Sequence, residues 1–408
     1  MRAQDLFKSW SDFLFRPQSP VPVSIYRIFF GALVLWYALV LINQDVLFWY
    51  GPHGVVSSYS IRRFWAYTDP RFNLLLLFPN SDFGVMMFWY LYLAAALCLT
   101  MGLFTRYSAL IVSLCLITMH NDQPYNINGG DAMLRLCSMC LIFADSGGAL
   151  SLDRLIKRYT RPTFGQESRP KPSAPLGQRM IQIETAIAYW HTSLCKAAGP
   201  MWLDGTAAYY SVRLQDMSKF AFTLPWLYNN VLFCKLLSWY TLVIEFAMWS
   251  LVWFKDLRYF ILLGAIILHL GIDYSMSLPG FEWAFMATFI NFVDPLDLSK
   301  CMDYIKTRVR NAFGEPIQLF YNPASEAHKG LASVIEGLDV FGRLTISSVN
   351  KNFRQTSLLF AETERGTITG LPLLALLSSI LPLLWPLCPV LIWFYMGKAR
   401  RIPRQSII

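Results

Sequence analysis

Apolar residues in this chain come in long unbroken runs separated by polar stretches, not in the alternation of a half-buried strand. Eight such runs are predicted to be membrane-crossing helices, at residues 25–41, 83–103, 109–119, 132–144, 181–196, 231–254, 259–272 and 281–293. The third and fourth are short for a hydrocarbon core about 30 Å thick, so polar residues facing protein are expected to extend them. Ahead of the first run, residues 1–20 are polar and include a predicted interfacial helix over 5–15. The pattern changes character after residue 300. Residues 317–321 read as a strand, 327–338 as a helix and 344–346 as a second strand. The predicted fold is therefore an all-α polytopic membrane bundle of about eight helices over 1–300, followed by a small cytoplasmic α/β domain over 301–408.

Composition supports the membrane assignment, since 55% of the 408 residues are hydrophobic and only 15% are charged. The net charge of +9 does not point to nucleic acid, because the basic residues cluster in loops between apolar runs. Arg106, the seven basic residues from Arg154 to Arg179, Lys255, Arg258 and the group from Lys300 to Arg310 all fall on one side if both termini are cytoplasmic. Arg62, Arg63 and Arg71 lie in the long outer loop 44–80, which weighs less in this rule. No cleavage site follows the first apolar run, so that run is expected to remain as the first span. The eight cysteines fall mostly in or beside apolar segments and are expected to be free thiols.

Ionisable residues on a spanning helix mark functional sites, because each costs roughly 2.5–3.5 kcal/mol at the helix centre on insertion scales. Residues 181–210 are the richest stretch: Glu184, His191 and Lys196 precede a helix break at Gly199-Pro200, and Trp202 and Asp204 follow. In the cytoplasmic-termini orientation, several polar residues share one depth below the outer surface. They are His120, Asp131, Arg135, His191, Lys196, His269 and Asp273, the last two spaced i,i+4 on one helical face. A shared depth predicts an outward-facing polar cavity, with Lys196, His191 and His269 as its candidate catalytic groups and Trp202, Asp204 and Tyr209 at its lining. Glu184 and Glu245 fall in the inner half and read as separate interhelical contacts. Lys196 serves either as an electrostatic anchor for a headgroup or acidic side chain, or as a base.

The order of signals resembles the HTTM family, the transmembrane part shared with vitamin K-dependent γ-glutamyl carboxylase. The matching pieces are Phe15-Arg16-Pro17 before Tyr26-Arg27-Ile28-Phe29-Phe30-Gly31, then Trp49-Tyr50-Gly51, Asn128-Gly129-Gly130-Asp131 with Arg135, and Ser151-Leu152-Asp153. Lys196 with Trp202-x-x-Gly205-x-Ala207-x-Tyr209, and His269 with the segment ending at Asp294-Pro295, complete the set over about residues 10–297. The resemblance implies an integral membrane protein, of a bacterial inner membrane, whose cavity takes a quinone, a lipid or a peptide. In the carboxylase an intramembrane lysine, the second of an adjacent pair, deprotonates the vitamin K hydroquinone. Here the pair reads Lys196-Ala197, and the large luminal substrate region is absent, so true γ-carboxylation is not expected.

The C-terminal part resembles the DCC thiol-disulfide oxidoreductase family, which has a thioredoxin-like fold. Its residues are Ile317 to Tyr321, Asp339-Val340-Phe341-Gly342-Arg343, Gly366 to Gly370 and Leu381 to Pro386. A working member carries a Cys-x-x-Cys after the first strand, where this chain has Asn322-Pro323-Ala324-Ser325-Glu326-Ala327-His328. Thiol exchange needs a thiolate, so the domain is expected to bind or scaffold. Residues 370–396 carry no charge, and their prolines argue against one straight helix. They are expected to form two cytoplasmic helices docked on the membrane or on the spans, with a hairpin re-entering the bilayer as the alternative. Two functions follow: a membrane enzyme or quinone- or lipid-binding protein, or a non-catalytic partner in maturation, export or immunity for a secreted peptide or small protein. Membrane lipids are partners in both.

Overall fold

The apolar runs fold as helices, and the computed structural model describes residues 3–55, 71–124, 127–219, 224–349, 359–363 and 366–399. Arg62, Arg63 and the basic residues from Arg400 onward lie outside the described residues. In chain order the longer helices are α1 (Ala3–Phe15), α2 (Val21–Trp36), α3 (Asp82–Met101), α4 (Thr105–Asp122) and α5 (Gly129–Ile142). They continue with α6 (Leu152–Thr160), α7 (Leu176–Ala197), α8 (Val231–Ser250), α9 (Lys255–Ser275) and α10 (Phe281–Phe289). The last four are α11 (Pro295–Phe313), α12 (Glu326–Leu338), α13 (Gly370–Ile380) and α14 (Cys388–Ala399).

Two compact units result. The first comprises Met1–Ser151 and Lys171–Asp294, and the second Leu152–Pro170 and Pro295–Ile408. In the first, helix ends follow local chemistry. Ser81 Oγ accepts from Gly84 N at the start of α3, and Gly102 ends α3 at φ 70°. No side chain could sit at Gly102, since a Cβ there would meet Arg27 Nη1 at 1.5 Å. Arg27 itself is fully buried, and its Nη2 donates to Leu150 O at 2.5 Å. Gly31 lets α2 approach α3 closely, because a Cβ there would meet Thr100 N at 2.8 Å. Past Trp36, α2 runs on through a π-helical turn (Tyr37–Ile42) and a 3-10 turn (Asn43–Asp45) into Val46–Tyr50.

Among the described residues, four helices are long and apolar enough to cross a membrane: Val21–Tyr50, α3, α8 and α9. The sequence pattern predicts eight. The difference has a physical reason in length and polarity. At about 1.5 Å per residue, α5 with 14 residues and α10 with 9 fall well short of a 30 Å core. The 22-residue α7 is long enough but carries Gln178, Arg179, Gln182, Glu184, His191 and Lys196.

The second unit holds a four-stranded sheet in the order β2-β1-β3-β4, with strands β1 (Ile317–Tyr321), β2 (Leu344–Ser348), β3 (Leu359–Thr363) and β4 (Gly366–Thr369). β1 pairs parallel with β2 through the α12 crossover and antiparallel with β3, and β3 pairs antiparallel with β4. The strand–helix–strand order predicted over 317–346 is what forms. Its core joins Leu319, Ala332, Ile335, Leu359 and Ala361 to Leu373 and Leu377 of α13. The sequence reads 152–170 as part of a basic loop, yet it belongs to this unit. Arg158 of α6 pairs with Glu336 of α12 at 2.8 Å, and Phe164 stacks on Tyr321 with ring centroids 5.2 Å apart. Burial holds the Arg158 guanidinium below its usual range, while Glu336 acts in the opposite direction. All eight cysteines are free.

Candidate functional site

Helix α7 presents Tyr189, Ser193 and Lys196 along one face, at spacings of four and then three residues. Tyr189 and Ser193 are buried, and Lys196 is half-buried at the helix end. Beyond it the chain breaks at Gly199 and turns into the short helix Pro200–Leu203. That turn brings the Trp202 ring to 5.2 Å from Lys196 Nζ. From α8, Glu245 Oε1 accepts a hydrogen bond from the same ammonium. The Glu245 side chain is only 7% exposed, against 25% for Lys196. Glu245, expected apart from this group in the inner half, is thus part of it, because a lysine stem reaches down the helix flank to meet the carboxylate.

A second string adjoins the first. Tyr189 Oη is hydrogen-bonded to His269 Nε2 of α9, and His269 Nδ1 to Glu282 Oε2 in the first turn of α10. With Glu282 ionised, Nδ1–H donates to the carboxylate, so Nε2 is the acceptor for the tyrosine O–H. Aromatic rings wall this string. Phe285 stacks on the His269 ring at 5.5 Å, Phe281 and Phe289 lie at 6.3 and 5.8 Å, and Tyr189 meets Phe285 edge-on. Glu282 has no solvent exposure, and its Oε1 has no hydrogen-bond partner among the described residues; nor has Glu245 Oε2. In charge terms the Lys196–Glu245 pair is neutral. The His269–Glu282 pair carries one negative charge when a neutral imidazole faces an ionised carboxylate, and none with one more proton on either group. The whole cluster therefore changes charge by one proton in a setting where an uncompensated charge is costly.

The other predicted residues divide into a neighbouring group and a rim. Asp131 closes a capping box at the start of α5: its Oδ2 accepts from Asn128 N at 2.8 Å, and Asn128 Oδ1 accepts from Gly130 N and Asp131 N. Tyr37, in the π-helical turn, is also hydrogen-bonded to Asp131. This corner abuts the string, since a Cβ at Gly130 would meet Phe281 Cα at 2.6 Å and one at Gly280 the Tyr37 ring at 3.0 Å. His120 is buried and lies within electrostatic range of the half-buried Arg135. At the surface, Asp204 accepts from both Thr206 Oγ1 and Thr206 N, which hold its carboxyl below the usual range. Tyr209 is exposed under the Arg213 guanidinium at 3.6 Å. Asp273 pairs loosely with Lys219 at 3.9 Å.

His191 does not join His269. Two residues beyond Tyr189, it is exposed, with Nε2 3.8 Å from Cys195 Sγ. Tyr189 and Glu282 are the site residues that sequence reasoning missed. For Tyr189 the signal was present, as it shares the Lys196 face at i−7.

No protein-family model matches the chain, and no solved structure matches it. It is similar to the uncharacterized protein YitO of Bacillus subtilis (strain 168), at 24% identity over 162 residues. The match covers 37% of this chain, which thus spans about half (50%) of the length of that curated relative.

Proposed function

We propose that this chain is a multi-pass protein of a bacterial inner membrane, with an HTTM-type helical bundle and a degenerate thioredoxin-like cytoplasmic domain. Its outward-facing polar cavity binds the headgroup of a quinone or a polar lipid. Tyr189, His269 and Glu282 supply the binding groups, and Lys196–Glu245 sets the charge beside them. One observation carries this reading: Glu282 and Glu245 are buried in adjoining parts of one cluster, and each has a carboxylate oxygen with no hydrogen-bond partner among the described residues. Buried polar atoms without partners are rare, and a headgroup with two donors, such as the two hydroxyls of a quinol or the hydroxyls or amine of a polar lipid, would supply one to each. The string can also pass a proton between such a hydroxyl and Glu282 through the two imidazole nitrogens.

The fastening of Lys196 by Glu245 favours a binding role for the lysine over a base. It thereby supports the second reading, a non-catalytic partner in maturation, export or immunity for a secreted peptide. The test is mass spectrometry of quinones and lipids that co-purify with the full chain. The wild type is expected to retain one such molecule near stoichiometry, and His269→Leu and Glu282→Gln to retain at least tenfold less. A wild type no richer than an unrelated membrane protein in the same detergent would remove the quinone or lipid reading and leave the peptide one.

A further inference from the structure

The second unit carries an apolar surface that neither its sheet nor its core uses. Between Leu383 and Trp393, six large apolar side chains are exposed: Leu383, Trp385, Leu387, Val390, Ile392 and Trp393. The neighbouring α13 shows the contrast, since Leu373, Leu377 and Ile380 are buried in the core of the unit. Residues 370–396 contain no charge at all, so the patch has no internal polar rim. Six exposed large apolar side chains within eleven residues mark an interaction site.

We infer that this surface rests in the interfacial zone of an anionic lipid leaflet, lying on the bilayer without crossing it. Four observations select a lipid surface over a protein partner. The helices Gly370–Ile380 and Pro382–Trp393 are apolar but too short to span. Tryptophan, present here at both 385 and 393, is the side chain that favours the water–lipid boundary. The basic residues Lys398, Arg400, Arg401 and Arg404 follow directly in sequence, and clustered basic residues beside an apolar segment attract acidic headgroups. Lys306 of α11 borders the same edge: Trp385 stacks on Phe341, and the adjacent Gly342 lies within reach of the Lys306 stem.

The experiment uses the full chain in nanodiscs, with Cys195, Cys301 and Cys388 changed to serine and one spin label introduced at a time. Power saturation against oxygen, which partitions into lipid, and against a water-soluble nickel chelate reports the surroundings of each label. Phe260→Cys on α9 is the lipid reference and Asp303→Cys on α11 the water reference. Labels at Leu383→Cys, Val390→Cys and Trp393→Cys are expected to match Phe260→Cys in discs containing phosphatidylglycerol. Changing Lys398, Arg400 and Arg401 together to glutamine should lower that oxygen preference at least twofold. Nickel accessibility like that of Asp303→Cys would overturn the inference. Exclusion of both reagents would also overturn it, by placing protein over the patch. Equal values in pure phosphatidylcholine would overturn the anionic part. A water reading at Phe260→Cys would remove the membrane assignment of the chain and this inference with it.

Discussion

At the scale of single residues, the Lys196–Glu245 pair is asymmetric, and the asymmetry is testable. Lys196→Met leaves a carboxylate buried without its cation, a loss of about 3 kcal/mol. Glu245→Gln leaves an ammonium that can turn towards water and keeps an acceptor for it, a loss of about 1 kcal/mol. Unfolding of the purified protein in mixed detergent should therefore show the lysine variant as clearly the weaker. The double variant should lose less than the sum of the two. Equal losses would mean that the carboxylate is better hydrated than its 7% exposure indicates. This pair was only half legible in the sequence. Lys196 stands out beside the Gly199-Pro200 break, but depth along separate helices puts Glu245 elsewhere, and side-chain reach is not written in a hydropathy pattern. His191 drew attention as a histidine, although it lies about 200° round the helix from Tyr189. Glu282 in a first turn reads as an acid favoured by the helix dipole, so its bond to a histidine thirteen residues earlier leaves no local trace.

At the scale of helices, close approach is set by glycine, and the bundle should be least tolerant there. Gly102→Ala places a side chain at φ 70° and onto the buried Arg27 guanidinium. The left-handed geometry alone costs about 1 kcal/mol, and displacing Arg27 adds several more. The expected outcome is little or no monodisperse protein by size-exclusion chromatography. Gly271→Ala, where a Cβ would meet nothing within 4 Å, should behave as the wild type. Normal behaviour of Gly102→Ala would show that Arg27 can move aside. Helix positions were readable from the sequence because apolar runs and caps such as Asn128 are local signals. The count of membrane-length helices was not, because an apolar run and a helix of spanning length are different quantities, as α5 and α10 show.

For the whole molecule, the composition of the second unit constrains topology. Leu152–Pro170 and Pro295–Ile408 fold together, so in the proposed membrane-spanning chain both lie on one side. The chain from Lys171 to Asp294 then crosses an even number of times. Two crossings, by α8 and α9, satisfy this, and so do the four of the sequence pattern. Reporter fusions at Ser168 and at the C-terminus should agree with each other and read cytoplasmic, and one at Asp122 external. Opposite readings at Ser168 and the C-terminus would separate the two segments of the second unit. Sequence could not show this unit's membership, since the contacts of α6 depend on a partner helix far along the chain. That separation has a consequence during synthesis. Arg158 is made 178 residues before Glu336, so at about 5–20 residues per second α6 waits about 10–35 seconds for its partner. Through that interval the ribosome adds several apolar helices while one helix of the last-folding unit stands unassembled. Ribosome-bound chains arrested before residue 326 should be cut readily by protease within 152–170, and chains arrested after release of the full sheet should resist.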